Sequence, residues 1–407
     1  MIKFKILGAV DRFNYGDLLF PIILQQYIEK YIIDKINNYE IKVYSLENSD
    51  LSNIGALKTK AMKEFYRDCN EDKYNYIILG GGDLLPVRII YSYMDTLKES
   101  KDVIALNKLI SSGFAADVEL FLIDHYDLKS KFPWIPDKNS IPINSKIVYN
   151  AVGGSTLNEL GNKEIEVVRE LLDKADYLSV RDSKTKENLN NLSIPCELYP
   201  DSGAIISDIF TKEKLETLAN EKLKENLKAY KGYICFQINL RSTWKKEEIL
   251  INELNKIYDT YGCPIVLLPI GLAENHNDLK ALKIIYSKLK IPKLLLLEEV
   301  NLFDIIFTIA NSEFFIGSSL HGNITALSYG VKHLGINKSI KKLKSYLETW
   351  DSKENDMCID VEEIYEQFVK VEAIDKSKIV EIGNNIKNLA YKNLEELFQG
   401  LFQDFLK

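Results

Sequence analysis

The chain has 407 residues, of which 46% are hydrophobic and 27% are charged, and this is the composition of a soluble globular protein. The length exceeds what one core usually holds, so we expect two domains. The formal net charge of -7 argues against nucleic acid as the main partner, because proteins that bind the phosphate backbone need a basic face.

The cysteines and the apolar runs indicate where in the cell the protein works. The five cysteines are odd in number and contain no C-x-x-C spacing, so neither a disulfide framework nor a zinc site is predicted. A reduced, cytoplasmic location fits best. The N-terminal "MIKFKILGAV" is predicted to be a strand and not a signal peptide. No apolar run approaches the roughly 20 residues of a membrane span.

Strands and helices alternate through the first half of the chain. The strands "IKFKILGAV", "IKVYSL", "YNYIILGG", "SKIVYNAV" and "DYLSVRD" are separated by segments with helical spacing of apolar residues, such as "LLFPIILQQYIEKYIIDKI" and "ALKTKAMKEFYRDC". This order predicts an α/β domain with a parallel sheet over residues 1–210. Residues 84–145 are irregular, and we expect them to form an insertion at the carboxyl edge of the sheet.

A second set of strands and helices follows a polar segment. Residues 211–231 contain few apolar residues and no proline, and are predicted to form a linker helix. The alternation resumes with "GYICFQINL" and ends with "KHLGIN", which predicts a second parallel α/β domain over residues 232–350. Residues 351–407 are predicted to contain one or two amphipathic helices.

Four short polar or glycine-rich stretches follow strands, where side chains converge on the cleft of a doubly wound sheet. They are Asn14–Asp17, Gly80–Asp83, Asn239–Arg241 and Ser318–Asn323. The glycines of "GGGD" allow backbone N–H groups to approach an anion or a sugar, but a tight turn explains them equally well. Asn14 and Asp17 either contact a ligand or cap the following helix.

Three further side chains suggest chemistry. His321, in "IGSSLHGNITALSYG", is either a buried hydrogen-bonding residue or an acid/base, and we favour the acid/base. Arg241 ends an apolar strand, so it needs an anionic partner from this chain or from a ligand. Arg181 either binds an anion or pairs with Asp201.

The other histidines lack such context. His125, His276 and His333 are expected to be solvated or satisfied within the core, although His276 could face the cleft. No two histidines have the spacing of metal ligands, so no metal is predicted.

Several motifs together resemble the polysaccharide pyruvyl transferase family. They are "FNYGD", "YIILGGGDLL", "YLSVRDSKTKENL" followed by "PDSG", "INLR" and "IGSSLHGNITALSYG", in the family's order over roughly residues 4–350. The resemblance implies a GT-B-like shape, in which two Rossmann-like domains face each other across a cleft and a C-terminal helix crosses back to the first domain. It also implies a reaction in which phosphoenolpyruvate, as co-substrate and without a further cofactor, converts two sugar hydroxyls to a pyruvate ketal and releases phosphate.

The resemblance also implies roles for individual residues and partners. His321 would be the acid/base of the reaction. The donor would be bound by Arg181, Arg241, Asn239, Ser319, Asn323 and Lys342, the last of which aligns best among residues 341–344. The acceptor, a saccharide or a lipid-linked saccharide, would be bound by Asn14, Asp17, Gly81, Gly82 and Asp83. Independently of the resemblance, Trp134 in "KFPWIPD" of the insertion, a segment that its prolines stiffen, either contacts the saccharide as well or packs the loop onto the core. Such an acceptor would bring the protein to the inner face of the membrane as a peripheral partner.

Two other functions stay open. Family members often carry an arginine beside the motif histidine, where this chain has Ser319. This difference leaves room for a GT-B glycosyltransferase that uses a nucleotide sugar and places Glu298 and Glu299 near the ribose, unless these acids only begin a helix. The third alternative is a non-catalytic partner in polysaccharide assembly.

Overall fold

The computed structural model describes residues 2–33, 38–72, 74–274 and 277–402, which form two parallel sheets with alternating helices. The predicted fold class of two parallel α/β domains is therefore confirmed. His276 lies outside the described residues, as does the end of the C-terminal segment.

The first sheet has seven parallel strands in the order β3-β2-β1-β4-β5-β6-β7. The strands are β1 (Ile2–Leu7), β2 (Tyr39–Ser45), β3 (Lys60–Ala61), β4 (Tyr76–Gly80), β5 (Lys146–Val152), β6 (Tyr177–Val180) and β7 (Glu197–Leu198). Every residue of β4 is buried, as expected for a strand that is covered on both faces of a parallel sheet.

The second sheet has six parallel strands in the order β10-β9-β8-β11-β12-β13. The strands are β8 (Ile234–Gln237), β9 (Ile265–Leu267), β10 (Leu294–Leu296), β11 (Phe314–Gly317), β12 (Lys332–Ile336) and β13 (Cys358–Ile359). Both sheets follow the doubly wound order, whose direction of winding reverses beside the first strand. The reversal lies between β1 and β4 in the first sheet and between β8 and β11 in the second.

The helices alternate with the strands. Those before the second sheet are α1 (Tyr15–Tyr27), α2 (Met62–Glu71), α3 (Ile89–Met94), α4 (Ser100–Leu109), α5 (Ala115–His125), α6 (Asn162–Leu172), α7 (Ser183–Asn191), α8 (Ile206–Ile209), α9 (Lys212–Leu218) and α10 (Glu221–Lys228). Those that follow are α11 (Leu240–Thr243), α12 (Glu247–Tyr261), α13 (Asp278–Lys288), α14 (Leu302–Ala310), α15 (Leu320–Ser328), α16 (Lys341–Trp350), α17 (Ile364–Glu372) and α18 (Lys376–Phe402). No helix within the described ranges is long and apolar enough to cross a bilayer.

Two predicted boundaries need correction. The second domain does not end at residue 350, because β13 extends its sheet and α17 packs against α12 and β12. The linker at 211–231 forms two short helices, α9 and α10, and not one. Asn220 divides them, because its side chain accepts hydrogen bonds from the backbone N–H groups that begin α10.

Helix α18 returns to the first domain. The side chain of Asn393 bonds to Asn150 on β5 over 2.7 Å and accepts a hydrogen bond from the hydroxyl of Tyr177 over 2.8 Å. The same helix contacts α15 of the second domain. Helix α18 thus joins the two domains, as a GT-B-like fold requires.

The insertion after β4 is largely helical and contains α3, α4 and α5. The side chain of Trp134 is buried in the core of the first domain, and its indole N–H donates to the hydroxyl of Ser92 over 3.0 Å. The assignment of Trp134 to an acceptor site is therefore wrong, because no face of its ring is open to a saccharide. Pro133 and Pro136 are buried beside it, and Trp134 belongs with its apolar neighbours to the core cluster, so the loop is packed onto the core.

Candidate active site

The four predicted stretches lie where the two sheets reverse their winding. Asn14–Asp17 and Gly80–Asp83 follow β1 and β4, and Asn239–Arg241 and Ser318–Asn323 follow β8 and β11. Backbone hydrogen bonds join the two domains here, since the Tyr15 amide donates to the carbonyl of Ile270 over 3.2 Å. The four stretches therefore form one interdomain site.

His321 lies in the first turn of α15 with its side chain 13% exposed. Its ring packs directly on Gly16, where an added Cβ would lie 1.8 Å from the imidazole Nδ1. The ring of Phe20 contacts the imidazole edge to face, with the centroids 5.3 Å apart. Only glycine at position 16 permits this contact between the two domains.

Asp201 links His321 to Arg181. Its Oδ2 lies 3.5 Å from the imidazole Nε2 and 3.1 Å from Nη1 of Arg181, and its Oδ1 accepts from the Gly203 amide over 2.9 Å. Burial alone would raise the pKa of Asp201, but His321, Arg181 and that amide hold the pKa below its ordinary value. The carboxylate is therefore charged and orients the side chains of both His321 and Arg181.

Arg181 and Asp83 face each other across Gly153. A Cβ at this glycine would lie 2.8 Å from both Nη2 of Arg181 and Oδ1 of Asp83. Burial raises the pKa of Asp83 even though the charges of Arg181 and Lys342 oppose this shift. Of the two predicted roles of Arg181, the pairing with Asp201 is observed through Nη1, while its Nε and Nη2 have no partners among the described residues.

Buried polar atoms without a partner concentrate at this site. Among the described residues, most of the buried side-chain nitrogen and oxygen atoms that lack a hydrogen bond belong to Asp83, Arg181, His321, Asn323 and Tyr346. Such atoms are costly unless something satisfies them, so their concentration at one place marks a ligand site.

Helix α16 adds a cation and a hydroxyl. Of its lysines, Lys341 pairs with Glu159 and Lys344 approaches Glu348, whereas Lys342 acts on the pKa of Asp83. Tyr346 lies one turn after Lys342 and close to Asp201 and Arg181. Our sequence analysis missed Tyr346, although its spacing of four residues from Lys342 would have placed both on one face of a helix.

The other residues predicted to bind the donor hold loops. The side chain of Asn239 accepts from the Ser242 amide over 2.8 Å, and that of Ser319 accepts from the Gly322 amide over 3.2 Å, so each caps a helix. Asn323 donates to the carbonyls of Gly317 and Ser319 and leaves only its Oδ1 free.

Arg241 is exposed on the short helix α11. The prediction that Arg241 needs an anionic partner is therefore wrong, because its guanidinium is not buried and water solvates it. Arg241 forms no ion pair within the part of the chain that the structure describes, so it stays available at the edge of the site.

In the first domain, the loops after β1 and β4 are both held by contacts with helix α1. Asn14 does not cap α1, and its side-chain amide donates to Asp17 Oδ2 over 2.8 Å. Gly81 and Gly82 have φ values of 60° and 69°, which other residues rarely adopt, and Gly81 packs on the ring of Phe20. The "GGGD" turn therefore has a structural reason for its glycines and also brings Asp83 into the site.

A buried polar network supports the site from the second domain. Oδ2 of Asp278 accepts from Gln237 Nε2 over 2.8 Å and from the amides of Ile270 and Gly271. Gln237 in turn accepts from the Ser319 amide over 2.8 Å. This network was not predicted, because nothing in the sequence indicates that Gln237 on an apolar strand and Asp278 at the start of a helix lie close together.

The remaining candidates lie elsewhere. His333 is buried, and its Nε2 lies 2.7 Å from Asp351, while His125 stacks on Phe121 at the surface. Glu298 and Glu299 are exposed, and Glu298 pairs with Lys283. Within the described ranges, no group of three or more histidine, cysteine or acidic residues could hold a metal ion.

Solved structures with a similar fold include UDP-GlcNAc 2-epimerases of low sequence identity. UDP-GlcNAc 2-epimerase of Methanocaldococcus jannaschii is 12% identical with a TM-score of 0.53, and covers 96% of this chain and 100% of its own. The enzyme of Neisseria meningitidis is 13% identical with a TM-score of 0.53, covering 98% and 100%. A putative UDP-N-acetylglucosamine 2-epimerase of Listeria monocytogenes is 11% identical with a TM-score of 0.54, covering 99% and 97%. These similarities establish the GT-B fold.

No curated protein sequence matches the chain. The family model described as "Polysaccharide pyruvyl transferase" matches residues 14–340, which contain His321, Arg181 and Asp83 together with the loops that carry them. The chain is a transferase that belongs to the polysaccharide pyruvyl transferase family.

Proposed function

We propose that the protein uses phosphoenolpyruvate to form a pyruvate ketal on a saccharide of a cell-surface polysaccharide. The observation that carries this proposal is the buried cluster in which Asp201 joins His321 to Arg181, while Arg181 keeps two nitrogens free beside Asp83. The reaction needs a proton donor and cations for a carboxylate and a phosphate, and this cluster offers both.

The chemistry assigns one task to each group. His321 gives a proton to C3 of the enol, which leaves C2 electron-deficient. A sugar hydroxyl bonds to C2 and passes its proton to a base, a task that we assign to Asp83, which lies beside the free edge of Arg181. The bond from C2 to the phosphate oxygen then breaks, and a second hydroxyl closes the ketal as its proton leaves with the phosphate. Arg181 and Lys342 balance the charge of the donor and of the departing phosphate.

The contact between His321 and Gly16 requires a motion. Nδ1 of the imidazole faces Gly16 and Nε2 faces Asp201, so neither nitrogen is open to a substrate. Separation of the two domains would free Nδ1, while Asp201 would continue to orient the ring through Nε2. We therefore expect the cleft to open for binding and to close for chemistry.

Thermal stabilisation by donor candidates tests the proposal. Phosphoenolpyruvate at a hundred times its dissociation constant should stabilise the protein by roughly 2.7 kcal/mol, and inorganic phosphate should do so less at the same concentration. The ligands to compare are UDP and UDP-GlcNAc, which the structure of the Methanocaldococcus jannaschii epimerase contains. Stabilisation by the nucleotides alone would contradict the proposal and favour the glycosyltransferase alternative. No response to any donor would favour a non-catalytic partner.

A turnover assay completes the test. Phosphate release from phosphoenolpyruvate should depend on added saccharide and should persist after treatment with a metal chelator, because no metal is part of the proposed reaction. Loss of activity with the chelator that Mg²⁺ or Mn²⁺ restores would contradict that part of the proposal.

A further inference from the structure

Helices α4 and α5 of the insertion expose large apolar side chains. Ile104 is 54% exposed, and Leu120 and Phe121 are each 66% exposed, whereas Leu122 on the same helix is buried. A helix that is apolar around much of its circumference is normally covered on more than one side. Apolar side chains grouped in this way mark an interaction surface.

Four exposed residues of α4 form a stripe with basic ends. The basic stripe consists of Lys101, Ile104, Ala105 and Lys108. The spacing of three and four residues puts all of them on one face of the helix. Within the described ranges neither lysine has an ion-pair partner, so the charges that flank Ile104 are unneutralised.

Four exposed residues of α5 form a second stripe with the same spacing and the opposite charge. The acidic stripe consists of Asp117, Leu120, Phe121 and Asp124. Neither aspartate has an ion-pair partner anywhere in the part of the chain that the structure describes. Each stripe thus has an apolar centre, and the charges at the ends of one complement those of the other.

One copy of the chain does not pair its own stripes. The segment Ile110–Phe114 joins the two helices through Gly113, whose φ of 91° breaks the helical path, and the apolar centres of both stripes stay exposed. Two acidic stripes facing each other would place Asp117 and Asp124 against like charges, which disfavours the packing of α5 on itself.

We propose that the basic stripe of one copy packs on the acidic stripe of a second copy, and the reverse, in a two-fold symmetric dimer. In antiparallel register, Lys101 meets Asp124 and Lys108 meets Asp117, while Ile104 covers Leu120 and Phe121. Such an arrangement is self-complementary, as a two-fold interface must be. This inference uses no part of the proposed reaction.

Charge exchange tests the dimer by sedimentation velocity. The parent chain should be a dimer at about 50 µM. Asp117→Lys with Asp124→Lys should make both stripes basic, and Lys101→Asp with Lys108→Asp should make both acidic. Each double variant should dimerise at least about a hundredfold more weakly than the parent, because like charges then face each other. An equimolar mixture of the two should associate again, as a heterodimer.

The heterodimer arm separates a lost interface from a misfolded chain, because variants that cannot fold would not associate when mixed. Leu120→Ser with Phe121→Ser should also give monomers, whereas Ile143→Ser is the matched control, since Ile143 is 91% exposed outside the stripes. A monomeric parent would overturn the proposal, as would double variants that stay dimeric or a mixture that stays monomeric. A monomer that binds phosphatidylcholine vesicles through Leu120 and Phe121 would assign the stripes to a lipid surface and overturn it equally.

Discussion

The two sheet edges that meet at the site differ in how their polar groups are satisfied. The first domain contributes Arg181, which is buried, and Asp83, which is half-buried, and both have buried side-chain atoms that lack partners. The second contributes Gln237 and Asp278, whose hydrogen bonds close on one another and on the backbone. Unpaired buried charges cost stability, so the first edge is arranged for a ligand and the second for holding loops. His321 is one of three exceptions on the second edge among the described residues, each with a buried side-chain atom that lacks a hydrogen bond.

The largest effect is expected from removing the imidazole of His321. His321→Ala should lower turnover by about a thousandfold or more, since a general acid/base contributes roughly a hundredfold to ten thousandfold. The melting temperature should change little, because the 3.5 Å contact between His321 Nε2 and Asp201 is longer than an ordinary hydrogen bond, and Arg181 still pairs with Asp201. Steady-state kinetics and a thermal melt check this. A large loss of stability with modest loss of turnover would make His321 a structural residue.

Gly16→Ala tests the contact between the two edges. The new methyl group would overlap the imidazole of His321, so the domains could not close fully, and we expect kcat to fall by about a hundredfold. The matched control is Gly400→Ala, since nothing lies within 4 Å of a Cβ at that glycine. Equal kinetics for both variants would show that the closed contact has no part in turnover.

Two arginine substitutions compare how much a buried and an exposed guanidinium contribute to donor binding. Arg181→Lys should weaken phosphoenolpyruvate binding by about tenfold to a hundredfold, because a lysine cannot serve Asp201 and a ligand with one planar group. Arg241→Lys should have a smaller effect, because its guanidinium is solvated. Isothermal titration measures both constants. A larger effect at Arg241 would reverse the roles given to the two edges.

The network of the second edge is expected to affect stability and not turnover. Burial raises the pKa of Asp278 from 3.8 to about 6, against its three hydrogen bonds. The folded state then holds the proton more tightly than the unfolded state. The stabilisation is present below pH 4 and is lost as the pH rises to about 6. The free energy of unfolding should fall by up to about 3 kcal/mol across this window.

Asp278→Asn should remove this slope, because the amide does not titrate. Urea unfolding of parent and variant at several pH values measures the difference. Parallel curves from pH 4 to pH 7 would show that the hydrogen bonds of Asp278 outweigh its burial.

The alternation of strands and helices could be predicted because each strand is an apolar run of ordinary length between polar helices. Strand β13 could not, since two residues carry no period and only the register with β12 defines them. Helices α4 and α5 were also missed, because an insertion with apolar residues on several sides lacks the single apolar face of an ordinary helix.

The positions of the candidate residues followed from the ends of strands, but their burial did not. Arg181 and Arg241 both end apolar strands, yet one is buried and the other exposed. The difference depends on α16, which covers Arg181 with Tyr346 and Trp350, and which is distant in sequence. Trp134 shows the same limit, since aromatic residues in a proline-rich loop fit a sugar site and a packed core equally well.

Helix α18 has a consequence for synthesis of the chain. Leu394 and Leu397 belong to the same buried cluster as Phe4 on β1, so the first domain to leave the ribosome lacks part of its core until the last residues of α18 follow. Contacts so far apart in sequence slow folding and leave apolar surface exposed meanwhile. Nascent chains that stall before residue 390 should therefore hold a completed second sheet beside a first domain that still requires a chaperone.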